Sequence, residues 1–155
     1  ETWEFLADPH DEGLVRQWYL PGAQPGPWAP LKTTRCWEDQ GRQDEACHGY
    51  DGFAWYRTAF DVPATFQGRR IVLFIGGLNN QAWVWVNGRI AGFQPYHEYW
   101  QRWLYHHEVD LTDQVRPGER NTLVIRVFND YGFGGLFRRS FVYSPRSPAT
   151  GPAAK

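Results

Sequence analysis

Cysteine is scarce in this sequence, and neither sign of charge is in excess. Two cysteines occur among 155 residues, and no third or fourth Cys or His stands at a spacing that would complete a zinc site. Sixteen Lys and Arg residues against 17 Asp and Glu residues leave a formal net charge of −1. This balance provides no basic surface for nucleic acid or for an anionic membrane, so we expect neither as a partner.

Long apolar runs and targeting signals are also missing. No segment approaches the roughly 20 apolar residues of a membrane-spanning helix. The N-terminus, Glu1-Thr-Trp-Glu-Phe, has neither the basic nor the apolar region of a signal peptide. We interpret the chain as a mature form or an excised domain.

The motifs of standalone catalysis are absent. The sequence contains no Gly-x-Ser-x-Gly nucleophile elbow and no phosphate-binding loop. His106 and His107 are adjacent, so in a strand they point to opposite faces and cannot share a metal. Glycoside hydrolysis requires two carboxylates about 5–10 Å apart, and nothing in the sequence places Glu98, Glu108, Asp110 or Asp130 in such a pair. We predict that the chain is not an enzyme on its own and has no cofactor.

Aromatic residues and short alternating segments dominate instead. Trp, Tyr and Phe number 9, 8 and 10, more than a core of this size needs, so some rings are expected at the surface. Leu14–Tyr19 is predicted as a short helical turn, and Pro21–Pro30 as an extended connection. The predicted strands are Trp3–Leu6, Ala54–Val62, Arg70–Ile75, Gln81–Val86, Ile90–Phe93, His106–Leu111, Asn121–Phe128 and Leu136–Tyr143. Eight short strands separated by turns predict an all-β sandwich of the jelly-roll type over residues 1–143, followed by a linker or tail over 144–155.

A hairpin at residues 83–93 is the clearest single motif. Asn87-Gly88 between alternating apolar residues predicts a tight turn, because both central positions need a positive φ. The alternation puts Trp83 and Trp85 on one face of the sheet and the intervening valines on the other. Two neighbouring Trp rings either pack against protein or bind a flat glycan chain, and we favour packing.

The segment after the hairpin combines rings with polar side chains. Aromatic rings stack on the C–H faces of sugars, while carboxylates, amides and guanidinium groups select hydroxyls. The alternative is that the rings pin a long loop onto the sandwich. The candidate ligand contacts in this segment are Tyr96, Glu98, Tyr99, Trp100, Arg102 and Trp103.

Strand direction brings the long loops together. If successive strands run antiparallel, the loops 36–52, 76–80, 94–105 and 129–135 all lie where strand 54–62 begins, which we call the loop end. Loops on a rigid sandwich commonly carry binding residues. At this end Trp37 either packs against the protein, which we favour, or contacts a ligand. Asp130 and Tyr131, which follow strand 121–128, are further candidate ligand contacts, and Asn79 and Asn80 are either turn formers or ligands.

Two local features can each be interpreted in two ways. Cys36 and Cys47 bracket a polar loop, and we predict a disulfide between them in an extracellular or periplasmic protein, against two free thiols. Asp8, Asp11 and Glu12 either form a solvated acidic turn, which we favour, or supply oxygen ligands to a structural calcium.

A series of motifs carries a family resemblance. The segments are Gly52-Phe-Ala-Trp-Tyr-Arg-Thr-Ala-Phe-Asp-Val-Pro63, Leu73-Phe-Ile-Gly-Gly-Leu78, Ala82-Trp-Val-Trp-Val-Asn-Gly88, Asp110-Leu-Thr112, Gly118-Glu-Arg-Asn-Thr-Leu-Val-Ile-Arg-Val127 and Gly134-Gly-Leu136. In this order they resemble the N-terminal sugar-binding domain of glycoside hydrolase family 2, which includes β-galactosidases, β-glucuronidases and β-mannosidases. The resemblance implies a galactose-binding-like jelly roll whose loop 129–135 faces the active site of whole enzymes. The catalytic glutamates of that family lie on a separate barrel domain, which this chain lacks, so a covalently attached catalytic domain is the implied partner.

Three functions remain open on the sequence. The first is a non-catalytic carbohydrate-binding module of a polysaccharide-degrading enzyme, which recognises a saccharide through loops 36–52, 94–105 and 129–135. The second is the N-terminal domain of a family 2 hydrolase without sugar affinity of its own. The third is a sandwich whose exposed rings bury against a partner domain.

Overall fold

The computed structural model describes residues 2–42, 49–96, 101 and 104–146. Over these ranges the chain forms short strands and two single turns of 3-10 helix, at Glu38–Gln40 and Ala64–Phe66. The strands are β1 (Thr2–Asp8), β2 (Ala29–Lys32), β3 (Gly52–Asp61), β4 (Val72–Ile75), β5 (Leu78–Asn79), β6 (Gln81–Val86), β7 (Arg89–Gln94), β8 (His107–Asp110), β9 (Arg120–Asn129), β10 (Gly135–Leu136) and β11 (Ser140–Tyr143). No helix within the described ranges is long and apolar enough to cross a membrane.

Two antiparallel sheets pack face to face. One has six strands in the order β2-β1-β3-β9-β6-β7, and the other has three in the order β11-β4-β8, with β5 and β10 forming a short separate pair. Alternate residues of the two sheets fill the core between them, with Val84 and Ile125 from one sheet and Leu73 and Ile75 from the other. The predicted β-sandwich is confirmed.

Most predicted strands are present, and the exceptions have local causes. The first two residues of β2, Ala29 and Pro30, end the predicted extended connection Pro21–Pro30. A strand tolerates Pro30 at a sheet edge, where β2 lies. Residues 136–143, predicted as one strand, divide into β10 and β11, which belong to different sheets. The predicted helical turn at Leu14–Tyr19 is a series of hydrogen-bonded turns.

The outer face of the six-stranded sheet carries a second aromatic layer. Trp83 and Trp85 share this face, as predicted, and Trp85 is 5% exposed because it packs on Trp55 and under Tyr19. Residues 9–28, which we call the covering segment, lie across this layer and bring Trp18 and Trp28 onto it. Packing, rather than an open glycan platform, therefore accounts for Trp85.

Strand register places the long loops at one end. Gly52 at the start of β3 pairs with Asn129 at the end of β9, and Gln81 at the start of β6 pairs with Phe128. Gln94 at the end of β7 pairs with Ala82, so the loop that follows β7 leaves from the same end. The predicted loop end is confirmed for the segments that the structure describes.

Candidate functional site

Hydrogen bonds join the loops of the loop end into one unit. The Asn79 side-chain amide donates to the carbonyl of Phe133, and that of Asn80 donates to the carboxylate of Asp130. The Asn129 amide donates to Asp51 Oδ1 and to the carbonyl of Gly132, at 3.0 Å each. Loop 129–135 is thus held by side chains from two neighbouring segments, which fixes what it presents to solvent.

Asparagine performs this bracing because its amide donates without bringing a charge into the interior. Asn79, Asn80 and Asn129 are all buried, where an unpaired charge would be costly. Of the two roles open for Asn79 and Asn80, the structure supports the structural one. Asn129 was not among the predicted site residues, although its place at the end of β9, directly before Asp130, is a signal that would have found it.

Trp37 belongs to the core beneath the loop end. Its ring is fully buried, meets Phe5 and Tyr50 edge to face at 5.9 and 5.4 Å, and donates Nε1–H to the Tyr50 carbonyl at 3.0 Å. A side chain at Gly134 would overlap this ring. The candidate ligand role of Trp37 is therefore corrected, because its ring offers no surface to a saccharide.

Glu38 ties the 3-10 turn to loop 129–135. Both carboxylate oxygens accept from the Gly134 N–H, at 3.1 and 3.0 Å, while the Trp37 N–H donates to the Gly134 carbonyl at 3.1 Å. Burial raises the pKa of Glu38 to about 7, and the hydrogen bond from Gly134 opposes that rise. Sequence reasoning missed Glu38, because an acidic residue in a polar loop gives no sign of a buried acceptor role.

Glu38 is expected to make stability depend on pH. Its pKa of about 7 in the fold exceeds the ordinary value of 4.5, so its favourable contribution is complete below pH 4.5 and is lost as the pH rises through 7. In thermal melts at pH 5 and pH 8, Glu38→Gln should gain stability relative to wild type at the higher pH, by about 1 kcal/mol after allowance for solvent screening. Glu119→Gln, an exposed control, should follow wild type. If the stabilities of wild type and Glu38→Gln change by the same amount between pH 5 and pH 8, Glu38 does not titrate in this way.

The loop end presents a carboxylate among aromatic rings. Asp130 is exposed, and Tyr131 and Phe133 are 66% and 51% exposed. Tyr96, two residues beyond β7, also has an exposed ring. This arrangement offers an acceptor for hydroxyls beside flat apolar surfaces, the combination that sugar recognition uses.

The other predicted site residues fall outside the described part of the chain. These are Glu98, Tyr99, Trp100, Arg102 and Trp103, whose ligand roles stay predictions. Cys36 is buried, and as a thiol it would have a pKa that burial raises to about 12. Its predicted partner Cys47 is also outside the described residues, so the disulfide stays a prediction.

The acidic turn at residues 8–12 is committed to protein contacts. The buried Asp8 accepts from the Glu12 and Gly13 N–H groups and from Trp55 Nε1, at 2.8, 2.9 and 2.8 Å. Asp11 pairs with Arg126, and Glu12 pairs with Arg16. Over the residues that the structure describes, no group of three or more His, Cys, Asp or Glu side chains could hold a metal ion. These carboxylates anchor the covering segment.

Comparisons with known proteins identify relatives of this fold. No family model matches the chain. A β-glucuronidase of Paenibacillus borealis is 32% identical over 132 residues, which are 82% of this chain and 20% of that protein. A β-glucuronidase of Canis lupus familiaris is 34% identical over 93 residues, 56% of this chain and 14% of that protein.

Solved structures agree on the fold. A Ruminococcus gnavus β-glucuronidase superimposes with a TM-score of 0.79 at 19% identity, over 93% of this chain and 27% of that one. A β-glucuronidase from the same organism has been solved in complex with D-glucuronic acid and superimposes with a TM-score of 0.78 at 19% identity. The chain spans about a fifth of the length of the P. borealis relative. It is homologous to one domain of the β-glucuronidases of glycoside hydrolase family 2, the family that its motifs resemble.

Proposed function

We propose that this chain is a non-catalytic domain of a larger glycoside hydrolase of the β-glucuronidase type, and that its loop end recognises a saccharide. The observation that carries the proposal is the braced loop 129–135. On that loop Asn80 holds the exposed carboxylate of Asp130 beside the exposed ring of Tyr131. The carboxylate would accept from sugar hydroxyls while the ring covers a C–H face.

Preorganisation favours this site over a flexible loop. Fixing a side chain on binding costs about 0.5–1.5 kcal/mol, and the Asn80 contact already restricts Asp130. Asn79 donates to the Phe133 carbonyl and Glu38 accepts from the Gly134 N–H, and these bonds fix the backbone around Tyr131 in the same way. A saccharide would therefore meet groups that need little rearrangement.

D-Glucuronic acid is the first saccharide to test. It is the sugar bound by the R. gnavus β-glucuronidase that shares this fold. The loop after β7 leaves from the loop end, so Tyr96, Glu98, Tyr99, Trp100, Arg102 and Trp103 enter the proposal as further contacts on the strength of their sequence pattern.

A second candidate is a supporting domain without independent sugar affinity. The observation that favours it is the exposure of two rings, Tyr131 and Phe133, which a neighbouring catalytic domain would cover. In that case the loop end would complete a site whose affinity depends on the rest of the enzyme.

A glycan array probed with the 155-residue chain tests the proposal. The array carries glycans ending in D-glucuronic acid and their glucose-terminated counterparts. Retention should fall at least tenfold in Asp130→Asn, which keeps the side-chain shape, and in Tyr131→Ala. A tenfold loss corresponds to about 1.4 kcal/mol.

Matched variants at the opposite end are the controls. Asp113→Asn and Tyr143→Ala alter the same residue types after β8 and on β11 and should leave retention unchanged. Equal losses in both pairs would contradict a site at the loop end. Absence of retention on every glycan would contradict independent affinity and support the second candidate.

A further inference from the structure

A groove opens at the end of the sandwich opposite the loop end. The pairing of β1 with β3 ends at Glu4 and Arg57, so Thr2 and Trp3 diverge from the last residues of β3. The resulting groove has a volume of about 510 Å³, and Thr58 and Ala59 contribute to its lining. This volume is within the usual range of small-molecule sites, about 300–1,000 Å³. Along β3 the groove lies about 20 Å from Gly52 at the loop end, at ~3.3 Å per residue.

Two tryptophans and a fixed guanidinium line this groove. Trp3 and Trp28 are both half-buried and line the groove from opposite faces of the sheet, Trp3 from the core side and Trp28 from the outer side. The Arg57 side chain is 12% exposed, and it donates to Glu4 at 2.8 Å and to the Ala23 carbonyl at 2.6 Å. Its guanidinium also lies 4.2 Å from the centre of the Trp28 ring. These contacts hold the groove in shape without a ligand.

The lining carries one more cation than anion. Glu4 neutralises Arg57, while Arg120 pairs with Asp61, which is not part of this lining. The Arg120 side chain is 68% exposed and the pair is 3.3 Å long, so the interaction is weak and leaves guanidinium donors for a ligand. Apolar ring surface, a carboxylate acceptor and an available guanidinium are complementary to a sugar that bears a carboxylate.

We propose that this groove binds a short acidic saccharide, as a second site separate from the loop end. The sugar ring lies against Trp28 on the outer face of the sheet, while Trp3 borders the groove from the core side. The sugar carboxylate faces Arg120, and a hydroxyl donates to Glu4.

The test is a titration followed by the indole N–H signals of Trp3 and Trp28 in nuclear magnetic resonance spectra. The probes are cellobiouronic acid and cellobiose, which differ by one carboxylate. We expect both signals to shift saturably with cellobiouronic acid at millimolar concentration, and cellobiose to bind at least fivefold more weakly. Ala59→Phe fills the groove without adding charge and should abolish the shifts, while Ile90→Phe, an aromatic addition at an exposed position of β7, should not.

Variants of the loop end test whether the groove binds independently of it. Asp130→Asn and Tyr131→Ala should leave the indole shifts unchanged, whatever they do to retention on the glycan array. The proposal is overturned if neither indole signal moves, if Ala59→Phe shifts like wild type, or if the two disaccharides bind equally well.

Discussion

Trp37→Ala is expected to lower the free energy of unfolding by about 4 kcal/mol, the usual cost of removing a fully buried tryptophan. The ring fills the space between Phe5 and Tyr50 and lies beneath Gly134 and Gly135. Its loss would leave a cavity and would also free the Tyr50 carbonyl. Because loop 129–135 packs directly on this ring, we expect the loop to lose its fixed position together with the stability.

Chemical denaturation of wild type and variant measures this effect. Tyr131→Ala is the control, since the same loop carries that ring at 66% exposure; its change should stay within about 0.5 kcal/mol. A loss below about 1 kcal/mol in Trp37→Ala would mean that the ring is not the support of the loop end. That result would reopen its candidate role as a ligand contact.

Asp8→Asn is expected to cost about 3 kcal/mol, although it changes a single atom. The Asp8 carboxylate is 1% exposed and accepts from three donors, two backbone N–H groups and the Trp55 indole. Hydrogen bonds to a charged group contribute about 1.5–3 kcal/mol each, and the amide replaces one acceptor by a donor that faces another donor. The covering segment would then lose its anchor to β3.

Urea unfolding followed by tryptophan fluorescence tests this prediction. The signal is sensitive to the covering segment, because Trp18 and Tyr19 pack on Trp55 and Trp85. Asp113→Asn, at an exposed position, should be neutral. If Asp8→Asn is as stable as wild type, the turn at residues 8–13 does not depend on this carboxylate.

Local and topological signals predicted most of this fold from sequence. The Asn87-Gly88 turn is specified by its own backbone requirement, and Asn87 has a φ of +52°. The loop end could be predicted from strand direction alone, because successive antiparallel strands place their connecting loops at alternate ends of the sandwich. Neither inference needed knowledge of side-chain packing.

Packing across large sequence separations could not be predicted. The environment of Trp37 is set by Gly134, 97 positions further along the chain, and by Tyr50. An aromatic residue in a polar loop therefore gives the same sequence pattern whether its ring contacts a ligand or packs in the core. The role of Asp8 could not be predicted for the same reason. It accepts a hydrogen bond from Trp55, which is distant in sequence and is brought beside it by the pairing of β1 with β3.

Backbone amide titration of the 155-residue chain with D-glucuronic acid tests the central claim most directly. If the loop end recognises the sugar, saturable shifts will appear at residues 129–135 and at Asn79 and Asn80, and Asp130→Asn will abolish them. If those amides stay unperturbed at saturating sugar, or if the shifts persist unchanged in Asp130→Asn, the loop end is not a site for this sugar.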